Sequence, residues 1–441
     1  MSNRVIRLGG SHIGNSKSIQ NLIQFLAKSN EQKFVVVSAI PELFEEIEMS
    51  IFNVFQQSIN TDELLVKFNS FFTERIGIEV SEEYRRLLEQ LTNLLKGIAL
   101  IGDYSPSLKD QVLTFSEKLS VEILKTKWNL IAPKIRIVWP EEIELLTTSD
   151  FGNATFLSIN QKKIKKLSES VFIVPGSYGI AKNGKIARTG KLAADYTAAF
   201  LTRELGAEKL ELWDLDSDFQ RADSLIVSNP RNIKRLTYSE ASELAYFEHY
   251  SFHPRTVEPL EQEHIPIQVI NSSTPEGAVK TIINTEMFIE EQIVKSVACT
   301  DDISLMKLNG PGVGLKPGIL AKVTTKLNDA GINIKSVITS QTSINLVLAE
   351  QTGDKALSLI QQLGFSAVKD ISVEKEVSLI GIVGHGMQKN YGVSAKIFSA
   401  VANNKINVLL SGSGASDLVS YLVIKSSDKE KGVRVIYNAF F

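Results

Sequence analysis

Few side chains in this sequence have the type and spacing to ligate a metal or attack a substrate. The single cysteine, Cys299, can make neither an internal disulfide nor a cysteine cage for zinc. His249 and His253 are spaced i, i+4, but no acidic residue lies between them and Pro254 follows at once, which is not the pattern of a helical zinc site. More suggestive are two glycine-rich loops, Gly310-Pro311-Gly312 to Gly318 and Gly384-His385-Gly386 to Gly392. A glycine loop that turns tightly into a helix presents unpaired N–H groups able to hold a carboxylate, although such a loop can also simply turn the chain. Asn333 and Asn407 are read as lying just inside the second strand after each loop, where a polar amide is an unusual choice. Ser340-Gln341-Thr342 is a polar cluster that either binds a ligand or caps a hairpin. Asn333, Gln341 and Asn407 are therefore the candidate contacts for a small effector.

These loops belong to an internal repeat. Ser304–Ile334 lies on Ser378–Val408 at a constant offset of 74 residues, with nine identities in 31 positions, among them Gly310/Gly384, Gly318/Gly392, Lys322/Lys396 and Asn333/Asn407. Each copy reads strand, glycine loop, helix, strand, hairpin, strand, helix, which is the β-α-β-β-α-β order of a ferredoxin-like module. The first two thirds of the chain has another texture. Val5–Leu8 and the continuous apolar run Phe34–Val37 read as strands, the second buried on both faces of a parallel sheet. Ile19, Leu22, Ile23 and Leu26 recur at helical spacing, and residues 41 to 125 are mostly helical in pattern. Further strands are expected at 135–139, 171–174, 209–213 and 267–270, with a helix near 192–205. Strands alternating with helices imply an α/β domain whose largely parallel sheet is covered on both faces.

Composition bounds the rest. At about 150 residues per domain, 441 residues give a prior of roughly three domains. The chain is 43% hydrophobic, and its 48 basic and 50 acidic residues leave a net charge of −2. That balance carries no electrostatic footprint for nucleic acid or an anionic membrane. The N-terminus has no apolar stretch of the kind found in a signal peptide, and no window is apolar enough to span a bilayer. The expected setting is soluble, reduced and cytoplasmic.

The motifs along the chain resemble those of the aspartokinase family, over nearly its whole length. Arg7-Leu8-Gly9-Gly10-Ser11-His12 is similar to the family's K-F-G-G-T-S, and Phe34–Ala39 to its V-V-V-S-A strand and loop. Phe115-Ser116-Glu117-Lys118-Leu119-Ser120 resembles G-E-x-L-S, and Asp150-Phe151-Gly152-Asn153-Ala154 matches D-F-G-N-A. Val174-Pro175-Gly176-Ser177-Tyr178-Gly179 resembles V-T-G-F-I-G, and Ser239–Ala245 with His253-Pro254 resembles the E-A-x-E-L-A and H-P markers. The C-terminal part looks most like the kinase half of a bifunctional aspartokinase–homoserine dehydrogenase. The resemblance implies a three-layer α/β amino-acid-kinase domain of the carbamate-kinase type over 1–288, followed by two ferredoxin-like ACT modules at 298–373 and 374–441.

It also implies a reaction: MgATP-dependent phosphorylation of the L-aspartate side-chain carboxylate, the first step towards lysine, threonine and methionine. In that reading Arg7 and Asp195 are catalytic. Gly9, Gly10, Ser11, Gly176, Gly179, Asp214 and Asp216 hold the nucleotide, and Ser38, Glu117 and Lys191 hold aspartate. The cofactors are ATP and Mg²⁺, the metal being carried by the ATP phosphates and not by protein side chains. Lysine or threonine would act as effector at the ACT modules, which would pair two chains in a homodimer. Several positions depart from the family pattern. The lysine of K-F-G-G is Arg7, which keeps the charge but not the reach. G-R-G-G-S-D is Gly190-Lys191-Leu192-Ala193-Ala194-Asp195, so both inner glycines are gone and a lysine without a bidentate fork replaces the arginine. T-D-V-D-G is Asp214-Leu215-Asp216-Ser217-Asp218. The alternative reading is accordingly a catalytically inactive aspartokinase paralogue that binds amino acids as a regulatory subunit.

Overall fold

The computed structural model describes residues 3–14, 16–27, 31–56, 61–76, 81–132, 135–191, 193–214, 219–247, 252–271, 278–289, 292–413 and 416–441. They divide into two units: residues 1–219, 234–245 and 250–286, and residues 220–233, 246–249 and 287–441. In the first unit the chain runs β1 (Asn3–Leu8), α1 (Gly10–Gly14), α2 (Ser16–Ala27), β2 (Gln32–Val37), then five helices: α3 (Pro41–Phe55), α4 (Thr61–Ile76), α5 (Glu82–Ile101), α6 (Pro106–Leu113) and α7 (Phe115–Asn129). It continues with β3 (Ile135–Ile137), β4 (Leu146–Thr147), β5 (Phe156–Ser158), α8 (Gln161–Ile164), β6 (Val171–Pro175), β7 (Tyr178–Ala181), β8 (Ile186–Arg188) and α9 (Ala194–Glu204). The last elements are β9 (Leu210–Asp214), β10 (Arg235–Thr237), α10 (Tyr238–Leu244), α11 (Glu258–Glu261), β11 (Ile267–Asn271) and β12 (Ala278–Asn284).

Local chemistry sets the helix ends. Ser81 Oγ accepts from Tyr84 N at the start of α5, and Gly102 closes that helix in the left-handed conformation. Ser105 caps α6 with Pro106 in its first turn, and Thr237 and Glu240 form a reciprocal capping box on α10.

Eight strands form one sheet in the order β10-β12-β11-β9-β1-β2-β6-β3, parallel except at the β11–β12 pair. Ile6, Leu8, Val35, Val37 and Ile173 face a core built with α2, α3, α5 and α7. The alternate residues of the same strands face the other way, where α9 packs on β1, β2 and β9. This is the expected three-layer arrangement. Helix α9 is rich in alanine and threonine and is buried almost all round, so it shows no amphipathic stripe. A second sheet of short strands, β5-β4-β7-β8, was not legible in the sequence, because runs of two to four residues carry too little period.

In the second unit the chain forms β13 (Ser296–Thr300), β14 (Ser304–Asn309), α12 (Ile319–Asp329), β15 (Ile334–Thr339), β16 (Ser343–Leu348), α13 (Gly353–Gln361) and β17 (Asp370–Glu374). The repeat then gives β18 (Val377–Val383), α14 (Val393–Asn403), β19 (Leu410–Gly412), β20 (Val419–Lys425) and α15 (Lys429–Phe440). The first module's sheet is β15-β16-β14-β17, and the second is β13-β18-β20-β19. The expected module boundary at 298 falls within β13, which pairs antiparallel with β18 and supplies the second module's fourth strand. Its counterpart β17 begins 74 residues later (370 − 296) and pairs with β14. Each module thus takes the edge strand that adjoins the other in sequence. The linker between β13 and β14 is tied on both sides. Asp301 accepts from Lys429 Nζ and Ser378 Oγ of the second module, both at 2.5 Å, and Asp302 Oδ2 accepts from Lys335 Nζ of the first at 2.8 Å. Residues 220–233 and 246–249, within the stretch expected as one domain over 1–288, group by contacts with the second unit. Among the described residues no helix is long and apolar enough to cross a membrane.

Candidate active site

In an open α/β sheet, ligands bind beyond the carboxyl ends of the strands, where successive connections leave in opposite directions. Here β1 lies between β2 and β9, and the loops after all three reach the same edge. Arg7 is the second-to-last residue of β1, in register with Val36 and Leu212, and points to the α9 side of the sheet. Its guanidinium meets Asp195 in the first turn of α9, with Nε 2.5 Å from Oδ1. Both side chains are all but inaccessible, 3% and 4% exposed. His253 N donates to the other carboxylate oxygen at 3.2 Å. Ala193, the residue ahead of α9, offers no side-chain cap, so the helix leaves first-turn N–H groups directed at the loop before it.

Two glycines make this edge possible. A Cβ on Gly10 would lie 1.9 Å from Ala39 O, so the loop after β1 can pass the loop after β2 only without a side chain. A Cβ on Gly176 would come within 2.6 Å of Ala194 Cβ, which fixes how closely the loop after β6 approaches α9. Gly9 N donates to Trp213 O at 3.1 Å, and Ser38 N to Leu8 O at 3.1 Å, holding the three strand ends together. Ser11 sits in α1, half-buried. Ser177, between Gly176 and Tyr178, has φ 68° although it is not glycine; its N–H bonds Thr197 Oγ1 at 2.9 Å and its carbonyl accepts from Thr189 N at 2.9 Å.

Glu117 lies in the first turn of α7 and is buried. Arg188, at the end of β8, grips it with both arms: Nη1 to Oε2 at 2.8 Å and Nη2 to Oε1 at 3.0 Å. Ser116 Oγ donates to the same carboxylate at 2.9 Å, and the Arg188 guanidinium stands 5.3 Å from the Phe44 ring centroid. Asp110 Oδ2 accepts from Arg188 N and from Gly152 N, each at 2.8 Å, and so ties α6 to β8 and to the Asp150–Ala154 turn. Burial raises the Asp110 pKa, and the two backbone N–H bonds offset part of that. Arg255 completes the frame, donating to Ala154 O, Thr155 Oγ1 and Tyr196 Oη while stacking on the Tyr196 ring.

The structure therefore brings together Arg7, Gly9, Gly10, Ser38, Gly176 and Asp195 at one edge. Lys191 is exposed in the loop leading into α9. Gly179 is inside β7, where a Cβ would lie 2.5 Å from Leu145 O, so its small size serves strand packing. Asp214 closes β9, but its side chain and the whole of Asp216 lie outside the described residues, as does His249. The expected strand placement of Asn333 and Asn407 is corrected. Asn333 precedes β15 by one residue and Asn407 precedes β19 by three; both are exposed and outside the strands. Each follows a left-handed residue, Gly331 (φ 67°) or Lys405 (φ 56°), and a buried isoleucine, which ends the turn before the strand begins. Gln341 does meet the first glycine loop, its carbonyl accepting from Gly314 N at 3.1 Å. At about 3.3 Å per residue, β15 holds Asn333 and Gln341 roughly 20 Å apart, so one small effector in one chain cannot span them. Arg188 and Asp110 escaped sequence reading; the signal available was Glu117 itself, a carboxylate that on burial needs a cation.

A model of the amino acid kinase family matches residues 3–271, and ACT domain models match 298–362 and 380–440. The chain is 27% identical to aspartokinase 2, chloroplastic, of Arabidopsis thaliana, over 99% of this chain and 84% of that protein. It is 26% identical to a bifunctional aspartokinase/homoserine dehydrogenase of Buchnera aphidicola subsp. Acyrthosiphon pisum, over 99% of this chain but 56% of that one. In fold it is similar to E. coli aspartokinase III in complex with aspartate and ADP, with a TM-score of 0.83 at 22% identity, covering 100% of this chain and 99% of that one.

His253 gives this edge a pH signature. Burial, helped by the Arg255 charge, lowers its pKa from 6.5 to about 4. Between those values the unfolded chain binds a proton that the folded chain does not, so stability is full above pH 6.5 and falls towards pH 4, by roughly 3 kcal/mol in total. Chemical denaturation across that range should show a shallower pH dependence for His253→Gln; equal slopes in the two proteins would contradict a buried neutral imidazole.

Proposed function

The chain belongs to the amino acid kinase family, and on that premise we propose that it is an aspartate kinase, transferring the γ-phosphoryl group of MgATP to the side-chain carboxylate of L-aspartate. A carboxylate oxygen attacks the γ-phosphorus, the bond from that phosphorus to the β–γ bridging oxygen breaks, and ADP leaves with aspartyl phosphate as product. The acceptor is already ionised at neutral pH, so the site needs no general base; it needs alignment and positive charge facing the phosphoryl oxygens. The observation that carries the reading is the buried Arg7–Asp195 pair at the strand edge, beside glycines that admit no side chain. Arg7 supplies the cation, Asp195 and His253 N fix its position, and the first-turn N–H groups of α9 face the same loop. The Arg188–Glu117 pair keeps the Glu117 carboxylate in one orientation for the aspartate side of the site. Mg²⁺ would arrive with the nucleotide phosphates, and the setting proposed for these substrates is the cytoplasm.

A second reading, an inactive amino-acid-binding subunit, is favoured by one observation: Leu192 and Ala193 stand where the resemblance calls for the two inner glycines, so side chains replace bare backbone in the loop leading into α9. One assay separates the two. Hydroxylamine trapping with MgATP should give aspartate-dependent hydroxamate, reduced about 10²–10³-fold in Arg7→Ala and much less in Arg7→Lys. If the wild-type chain forms no product while still binding an amino acid, the regulatory reading replaces the enzyme.

We also propose amino-acid regulation at the ACT modules and a homodimer formed through them. The outer strands β15 and β19 have no further strand paired to their outer edges among the described residues, and a second copy can cover those edges. Light scattering at micromolar concentration should give twice the chain mass; a monomer mass would exclude that assembly.

A further inference from the structure

Glu117 is assigned to the aspartate side of the site by resemblance, and its chemistry allows it one task there. Aspartate carries two carboxylates and one α-ammonium, and a glutamate carboxylate attracts only the ammonium. The structure gives that carboxylate another cation. Arg188 Nη1 and Nη2 reach its two oxygens at 2.8 and 3.0 Å, and Ser116 Oγ lies 2.9 Å from Oε2. The Arg188 and Glu117 side chains are only 4% and 2% exposed.

An ammonium approaching this pair meets no net charge, with the guanidinium about as near as the carboxylate. To displace Arg188 it would have to strand that guanidinium in a buried corner, 5.3 Å from the Phe44 ring centroid. The Arg188 backbone is pinned as well, its N–H bonded to Asp110 Oδ2 at 2.8 Å. Two other buried carboxylates described at this edge are also engaged: Asp195 faces Arg7, and Asp110 accepts from two backbone N–H groups. What remains suits an anion. A guanidinium has five N–H donors, and the fork onto Glu117 uses two. Lys191 and Ser38, the other residues assigned to the acceptor, bring an ammonium and a hydroxyl, both of which bind a carboxylate.

We propose, on the kinase reading above, that this site recognises its acceptor by two carboxylates and not by the α-ammonium, so that four-carbon dicarboxylic acids lacking the amine, such as succinate, are phosphorylated alongside aspartate. Arg188 is the specificity-determining residue, because it withdraws Glu117 from the substrate. The bonds made and broken are those of the aspartate reaction: a succinate oxygen attacks the γ-phosphorus, the bond to the β–γ bridging oxygen breaks, and ADP leaves with succinyl phosphate as product.

ADP release by the full chain with MgATP, followed through pyruvate kinase and lactate dehydrogenase with each acid in turn, tests this. The expected result is succinate-dependent turnover with kcat/KM within about tenfold of that for aspartate, whereas a site built to bond the amine would reject succinate by about 10⁴-fold. Glu117→Gln keeps the side-chain shape and one oxygen for Arg188, and should change kcat/KM for the two acids by the same factor. Arg188→Met returns Glu117 to the substrate and should raise the preference for aspartate at least about tenfold. Turnover of aspartate with succinate rejected by about 10²-fold or more, or a preference for aspartate that falls in Glu117→Gln, would overturn the proposal and leave the kinase reading standing. No ADP release with either acid would remove the kinase reading and the proposal with it.

Discussion

The first unit is organised around a charge that the sheet buries at its own edge. Arg7 projects from a central strand into a layer where neighbouring strand residues are Val5, Phe34 and Val36, and a guanidinium there is tolerable only against a carboxylate. Asp195 supplies it, and removing either partner from such a pair typically costs about 3–5 kcal/mol. The pairing has structural consequences. It docks the N-terminus of α9 against the end of β1, which draws the loop after β6 so close that position 176 tolerates no Cβ. It also recruits the backbone at His253, bringing Arg255 and its ties to the Ala154–Thr155 segment. Three loops distant in sequence are thereby fixed around one cation.

A second buried pair repeats the logic on the other side of the sheet edge. Arg188 and Glu117 share a bidentate contact, and Asp110 takes the Arg188 backbone N–H as well as that of Gly152. Buried ion pairs of this kind are weak contributors to net stability but strong determinants of geometry, since alternative arrangements would strand a charge. A phosphoryl transfer to an ionised acid depends on that sort of fixed positive field more than on proton transfer. At both positions the planar fork of arginine sets direction as well as distance.

Much of the architecture was legible in the residues. Phe34–Val37 is a continuous apolar run because β2 is covered on both faces, and the repeat at offset 74 announced two similar modules. The strand exchange was hidden for a physical reason: β13 and β17 occupy equivalent places in the repeat, and only hydrogen-bond pairing across the sheets decides which module each joins. Asn333 and Asn407 misled because a polar residue beside a buried isoleucine looks like a strand position, whereas the turn has not yet ended there. Of the candidate site, Arg7, Gly10, Gly176, Glu117 and Asp195 came from motif resemblance. Arg188 did not, since a lone arginine closing a three-residue strand has no periodic signature, and its partner lies 71 residues away.

The central claim is that the Arg7 edge receives the nucleotide phosphates and the Arg188–Glu117 side receives the amino acid. A crystal structure of the chain with ADP, Mg²⁺ and aspartate tests it most directly. The account requires the β-phosphate within hydrogen-bonding reach of the strand-edge loops and Arg7, with aspartate beside Glu117. Nucleotide bound elsewhere on the chain, or aspartate seated at the ACT modules and absent from this edge, would contradict it.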